Sequence, residues 1–330
     1  MSVETPDAVE RTVQLAGNST FVVSLPKEWA LEQGIERGTP IQLYPHDDRL
    51  VLAAEPLDPP SRSIRIDAVS MDASLVPARV TDAYAAGCDR ITVVDSTGLD
   101  AAIRRDVTAL VGELIGLEIQ RETETELVAA DVLDAADVSL AQTVSQIRHR
   151  TNAAYDAAIE AVVDDDADLA TRATERVDDV DRLVGFVRRG FRRGLADVTE
   201  LARVDADRTD AFDHYRTAQR LSRLGEVSDR IATVADRQSA APDPSVGPAV
   251  EAADEAVRGL LEPALAGRTR SARCRYPEAR EDVATLATVA REREGPDAVR
   301  YETLADCLQR VASTALSLSE SVVDADGTCC

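Results

Sequence analysis

Four arginines crowd into six residues near the middle of the chain: Arg188, Arg189, Arg192 and Arg193. Spacings of one, three and four residues gather them at the end of one predicted helix, where positive charge also suits the helix dipole. Two readings are open for this cluster, a stripe that binds phosphate, nucleotide or DNA, or charge balance against nearby acid. Catalytic constellations are harder to find. His46, His149 and His214 fall in different predicted elements, none beside a cysteine or at metal-ligand spacing. His149, flanked by Arg148 and Arg150, reads as an exposed helix residue rather than a general base. No serine sits in a Gly-x-Ser-x-Gly turn, and Gly112 and Gly116 lack the Lys-Ser/Thr of a phosphate loop, so they read as helix packing and a cap. Cysteines 88, 274, 307, 329 and 330 form no Cys-x-x-Cys pair, which predicts neither a disulfide framework nor a zinc site. Adjacent Cys329 and Cys330 read as a frayed tail, and the chain is expected not to be an enzyme.

The elements that must carry any such site belong to a strongly acidic chain. Over 330 residues the formal charge is −23, and Lys27 is the single lysine among 37 basic residues. With 44% hydrophobic residues and no long charge block the chain should fold, so its acid becomes a solvated surface. Such a surface stays soluble where the Debye length shrinks to about 3 Å near molar salt. The composition therefore points to a halophilic cytoplasm. Length predicts two or three domains, and no leader and no apolar run of about 20 residues is seen, so a cytoplasmic protein without direct membrane insertion is expected.

Val9 to Ala54 is the stretch whose pattern says most about what the protein touches. Val13 and Leu15, then Phe21, Val23 and Leu25, alternate with polar neighbours around Gly17-Asn18, which predicts a strand hairpin. Pro26 opens a short helix, with Trp29, Ala30 and Ile35 able to bury one face before Gly34 and Gly38 end it. Thr39 to Tyr44 and Leu50 to Ala54 form a second strand pair joined by His46, Asp47 and Asp48. So few apolar groups cannot make a stable core alone, and strands shared with a second copy are expected. The run STFVVSLPKEWA, followed by GIERGTPIQL, resembles the AbrB/SpoVT swapped-hairpin DNA-binding domain found at the N-terminus of archaeal PhoU-type regulators. That resemblance implies two chains interleaving their hairpins, with promoter DNA contacted by Arg11, Asn18, Ser19, Thr20 and Lys27. Residues 1 to 55 hold four basic and nine acidic residues, a balance of −5 that is opposite to the usual sign for a nucleic-acid binder. The alternative is a small dimerisation module that binds no nucleic acid.

Residues 56 to 60 (PLDPP) read as a stiff linker. A middle domain over 61 to 134 follows in the order βαβαββ: strand near Ser63 to Ala68, helix Leu75 to Ala86, strand Arg90 to Asp95, helix Leu99 to Ile115 and a closing strand pair. That order predicts a small α/β sandwich. From about Asp137 long Ala-rich helices take over. Leu140, Val144, Ile147 and Thr151 repeat at helical spacing, as do Val177, Val180, Leu183 and Val187, and Leu221, Leu224, Val227 and Ile231. After the break at 239 to 248, helices are predicted at about 249 to 266, 277 to 293 and 298 to 323. DDVDRL at 178 to 183 echoes EDVATL at 281 to 286, and GEVSDRIATVAD at 225 to 236 echoes QRVASTALSLSE at 309 to 320. Two three-helix bundles of one ancestry, at about 137 to 238 and 249 to 323, are the economical expectation.

That arrangement over 135 to 325 resembles the PhoU family. The resemblance implies regulation of phosphate uptake and homeostasis through a phosphate transporter or its signalling partners. It also implies a divalent-metal cluster on helices carrying Glu/Asp-x-x-x-Asp. Glu175 and Asp179 keep that spacing, with Asp178, Asp181 and Asp229 nearby, but Gly225, Ala284, Gln309 and Ser313 stand where acids belong, so no cofactor is firmly implied. The whole reading is of a mainly α, multidomain protein with a swapped-hairpin β module, an α/β sandwich and a pair of three-helix bundles. Its expected function is that of a homodimeric, DNA-binding, PhoU-like transcriptional regulator. The alternative is an adaptor acting on a phosphate transporter without touching DNA.

Overall fold

The computed structural model describes residues 9–17, 20–46, 49–53, 62–133, 139–196, 208–293, 295 and 297–319. The expected linker at 56 to 60, the boundary near 134, Asn18, Ser19 and the Cys329–Cys330 pair lie outside the described residues. The chain divides into two compact units, Met1–Pro60 and Ser61–Cys330.

In the second unit a four-stranded sheet forms from β5 (Ser63–Asp67), β6 (Arg90–Val94), β7 (Leu117–Glu122) and β8 (Glu126–Asp131), in the order β5-β6-β8-β7. β5 and β6 run parallel and are bridged by α2 (Leu75–Ala85), while β8 is antiparallel to both its neighbours. The expected βαβαββ order is the one observed. α3 (Ala101–Glu113) starts where Asp100 accepts a hydrogen bond from the Ala102 amide at 2.7 Å, satisfying a donor that the first turn cannot pair internally. Val76 and Val80 of α2 and Ile103 and Val107 of α3 close over Ile91, Val93 and Leu127 of the sheet. Each pair sits four residues apart, so each helix presents one apolar face.

Six helices make up the rest: α4 (Leu140–Asp164), α5 (Ala167–Ala196), α6 (Arg208–Arg237), α7 (Gly247–Leu265), α8 (Thr269–Arg291) and α9 (Ala298–Ser319). α4, α5 and α6 pack on one another, α7, α8 and α9 likewise, and α6 against α9 is the main join. One continuous apolar core runs through both sets. The two echoed segments occupy matching places, the first in α5 and α8, the second in α6 and at the end of α9. α8 corrects an expectation: it begins at Thr269, eight residues before the predicted start, because Pro277 lies inside the helix rather than at its opening. Among the described residues no helix is long and apolar enough to cross a membrane.

Arg189 of α5 fastens the helices to the sheet layer. It is 3% exposed and donates to the carbonyls of Tyr84 (3.1 Å) and Cys88 (2.8 Å) and to Asp131 Oδ2 (2.6 Å). Its guanidinium also lies 4.8 Å from the centre of the Tyr84 ring. One turn on, Arg193 reaches the same Asp131 oxygen at 2.7 Å and Asp89 at 3.0 Å. Gly87 lets this happen, because a Cβ there would stand 2.8 Å from Arg193 Cγ. Removing Arg189 would leave the Tyr84 and Cys88 carbonyls without this donor and Asp131 with Arg193 alone, and breaking a buried, hydrogen-bonded ion pair costs about 3–5 kcal/mol. Arg189→Ala should therefore lower the unfolding free energy by about that much in urea titration, while Arg188→Ala, on the exposed side, should change it by about 0.5 kcal/mol or less.

Candidate nucleic-acid interface

The first unit is built from two short hairpins around one helix. β1 (Gln14–Ala16) pairs antiparallel with β2 (Thr20–Val22), and Gly17 at φ +68° turns the chain where a Cβ would be strained. α1 (Lys27–Glu32) follows Pro26, whose carbonyl accepts from the Ala30 amide at 2.9 Å. Gly34, at φ +66°, closes the helix: its amide reaches the Leu31 carbonyl at 3.1 Å and the Ile35 amide reaches the Ala30 carbonyl at 2.8 Å. β3 (Gln42–His46) and β4 (Arg49–Ala53) form the second hairpin, with His46 opposite Arg49.

Geometry places three of the five DNA-contact candidates at the surface. Arg11, Thr20 and Lys27 are all exposed, and Arg11 donates only to the neighbouring Glu10 carbonyl, at 2.9 Å. Arg37 is a further exposed cation that the family resemblance did not mark, and its signal was only its position in the turn after α1. The expected burial by Trp29, Ala30 and Ile35 is corrected: Trp29 is 37% exposed and the other two are half-buried. Indeed no residue whose burial is described in this unit is buried. Ten of the sixteen large apolar side chains exposed among the described residues belong to it, with Phe21 at 77%. Folding one copy leaves these groups in water.

The arginine cluster of α5 divides in two. Arg189 and Arg193 turn inward and spend their charge on Asp131 and Asp89, so the charge-balance reading describes them and the anion-binding stripe does not. Arg188 and Arg192 are exposed. Beside them Phe191 stacks on Tyr215 of α6 at 4.6 Å, and Arg216 lies over Phe212.

Three of the five acids implied as metal ligands are engaged elsewhere. Asp179 is held by Arg150 and lies 3.5 Å from Arg182, Asp229 accepts from the Thr174 hydroxyl at 2.9 Å, and Asp181 accepts from Ser222 at 3.1 Å. Glu175 and Asp178 are exposed. A Cβ at Gly225 would stand 3.5 Å from Val177 Cγ1, so an acid there would enter the apolar seam between α5 and α6. Among the described residues no group of three or more His, Cys, Asp or Glu could hold a metal, and these side chains do not fit the implied cluster. Cysteine usage needs a second correction: Cys274 is disulfide-bonded, where the scattered cysteines predicted no disulfide framework, while Cys88 and Cys307 are free. Comparison of the chain with family models, with curated proteins and with solved structures finds no match.

The Asp181 carboxyl is raised above its ordinary range by partial burial against α6, with Glu226, Asp178 and Asp229 adding repulsion. A carboxyl whose proton is held more tightly in the folded state makes the fold less stable as pH rises through that raised value. Asp181→Asn should therefore raise the melting temperature slightly at neutral pH. The gain should vanish at a pH low enough to protonate the aspartate in both states, as calorimetry across pH will read.

Proposed function

We propose that the chain is a homodimeric, DNA-binding transcriptional regulator of phosphate uptake, PhoU-like in its helices and AbrB/SpoVT-like at its N-terminus. The observation that carries the reading is the apolar surface of the first unit. Covering a large apolar side chain contributes about 1.5–3 kcal/mol, and a unit without a buried core has nowhere within itself to gain it. A second copy supplying the complementary hairpins would cover Phe21, Leu15, Leu43 and their neighbours. Two copies would also present Arg11, Thr20 and Lys27 twice, matching the twofold repeat of a palindromic operator.

The regional balance of −5 weakens long-range attraction to a duplex. High ionic strength screens that repulsion, leaving short-range phosphate contacts to position the protein. In this reading the two sets of three helices are PhoU-like bundles that receive the phosphate signal. Coupling requires the signal to favour one placement of the paired DNA-binding units over another. The balance of −5 also favours a second reading, in which the first unit only dimerises and the helices act as an adaptor on a phosphate transporter.

Two experiments test this. Phe21→Ser should convert the dimer to monomer in light scattering at micromolar concentration, and a wild-type chain that is itself monomeric would end the proposal. In a promoter-fragment shift assay in molar KCl, the wild-type chain should bind and an Arg11→Glu, Lys27→Glu variant should not. Neutral Arg11→Ser and Lys27→Ser changes should flatten the dependence of log affinity on log salt by about 0.9 for each DNA phosphate that is no longer neutralised. No shift by either protein would leave the adaptor reading.

A further inference from the structure

Where α5 ends beside the opening of α6, the protein carries cations that it leaves without acids. From Arg182 to Ala196 α5 holds five arginines and no acid, in a chain whose formal charge is −23. Arg189 and Arg193 are consumed by Asp131 and Asp89. Arg188 and Arg192 are exposed, and among the described residues neither meets a carboxylate or any other hydrogen-bond acceptor. Arg216 of α6 lies 5.4 Å from the centre of the Phe212 ring and likewise meets no carboxylate among the described residues. An acidic chain has ample carboxylates for these three, and it spends none on them.

Apolar surface gathers at the same place. Thr174 meets Asp229, Asp181 meets Ser222 and Phe191 stacks on Tyr215, contacts whose numbers run in opposite directions, so α5 and α6 lie antiparallel with a groove along their line of contact. Two of the chain's four phenylalanines, Phe191 and Phe212, stand in it with ring centres 6.1 Å apart. Phe212 is 44% exposed and Leu195 58%, so folding leaves much of this surface in water. Arg188, Arg192 and Leu195 follow one another at steps of four and three, and Phe212 and Arg216 at a step of four. Cation and apolar group therefore share one stripe on each helix.

We infer that this groove docks an amphipathic helix of a partner protein, one that carries acidic and apolar side chains on the same face. Its leucine-like side chains would lie against Phe212, Leu195 and the Phe191–Tyr215 stack, and its Asp or Glu carboxylates would accept from Arg188, Arg192 and Arg216. Aromatic rings and arginines closed off from water are the groups that dominate interface energies. A third helix also fits between two antiparallel ones by the ridge and groove packing that builds the rest of the molecule. A nucleic-acid strand fits less well, because Phe191 and Tyr215 stack on each other and Arg216 covers a face of Phe212, so the rings do not stand apart as separate platforms for bases. A second copy presenting the same face would set arginine against arginine. The contact survives strong salt, since ion pairs closed off from water are screened far less than open ones. It lies in the second unit and rests neither on DNA contact nor on the pairing of hairpins.

Fluorescence anisotropy on the full chain in molar KCl tests the inference. The probe is a labelled synthetic helix of about 18 residues, with leucines at i, i+3, i+4 and i+7 and glutamates flanking them. It should bind saturably at one site per chain. Arg188→Ser with Arg192→Ser should weaken it about tenfold or more, Phe212→Ser likewise, and a probe with lysine in place of glutamate should bind at least about tenfold more weakly. Val299→Ser, at an exposed apolar residue of α9, should leave the affinity unchanged. The arginine variant removes exposed side chains that hold nothing together, so its melting temperature should match the wild type, and it decides the matter even where Phe212→Ser disturbs α6. The inference is overturned if the glutamate probe does not bind, if the arginine variant binds it as tightly as the wild type, or if the lysine probe binds equally well. It also falls if a single-stranded oligonucleotide binds in place of the probe, or if the arginine variant alone lowers the oligomeric state in light scattering, which would make a second copy the occupant. None of these variants touches the first unit, so the promoter shift assay reports on the other reading separately.

Discussion

A guanidinium buried between a helix and a sheet is costly to desolvate, and Arg189 is tolerated only because its surroundings leave little of it unpaired. Two backbone carbonyls, one carboxylate and the face of Tyr84 receive it. Asp131, at the end of the inner strand β8, needs a cation in turn and receives Arg189 together with Arg193. This mutual requirement makes the contact directional in a way that apolar packing is not. It sets the rotation of α5 about its own axis, and α4 and α6 pack on α5. The neighbouring Tyr84 hydroxyl donates to the Ile115 carbonyl at 2.8 Å, and burial pushes its ionisation well above the ordinary range, so it stays a donor.

The same chemistry recurs in weaker form between helices. Arg258 of α7 bridges Asp254 of its own helix, at 2.7 Å, and Asp156 of α4, while the buried Tyr155 hydroxyl donates to Asp254 at 2.8 Å. Arg150 of α4 meets Asp179 of α5. Arginine suits these positions because its planar fork engages two acceptors at once, and an almost lysine-free chain has chosen the residue that can cross-link helices. The consequence reaches function. Asp179, Asp229 and Asp181, three of the acids a metal cluster would need in common, are each taken up separately by an arginine or a hydroxyl.

The two units obey different rules. Ser61–Cys330 closes on itself, with Tyr84, Tyr155, Ile147 and Leu260 fully out of water. The first unit has regular hairpins and a well-closed helix, but the local bonds that shape it do not remove its apolar groups from solvent. Backbone hydrogen bonds can be satisfied within about 45 residues, whereas apolar burial needs more surface than so short a stretch can fold over. A single copy therefore keeps these groups in water, and that exposure is what the proposed pairing of two copies is built on.

Local pattern alone determined most elements of this protein. Alternation, helical periodicity, the Pro26 and Gly34 punctuation and the succession of strands and helices along the sheet domain were all legible, because they depend on near neighbours in the chain; the pairing order of the strands was not. The start of α8 was not legible, since Pro277 lies inside the helix, and a proline at a helix start and one carried inside a helix look alike until the packing of the preceding turn is known. That single ambiguity hid the arginine-rich opening of α8. The fate of Arg188 to Arg193 was equally out of reach: four cations of one type differ only in which of them meets Asp131, and β8 is brought there by the fold. Residue types and spacing thus named the elements and the charges. Tertiary structure alone decided which charges are consumed within the protein and which stay available to a ligand, because pairing depends on distances between segments far apart in the chain.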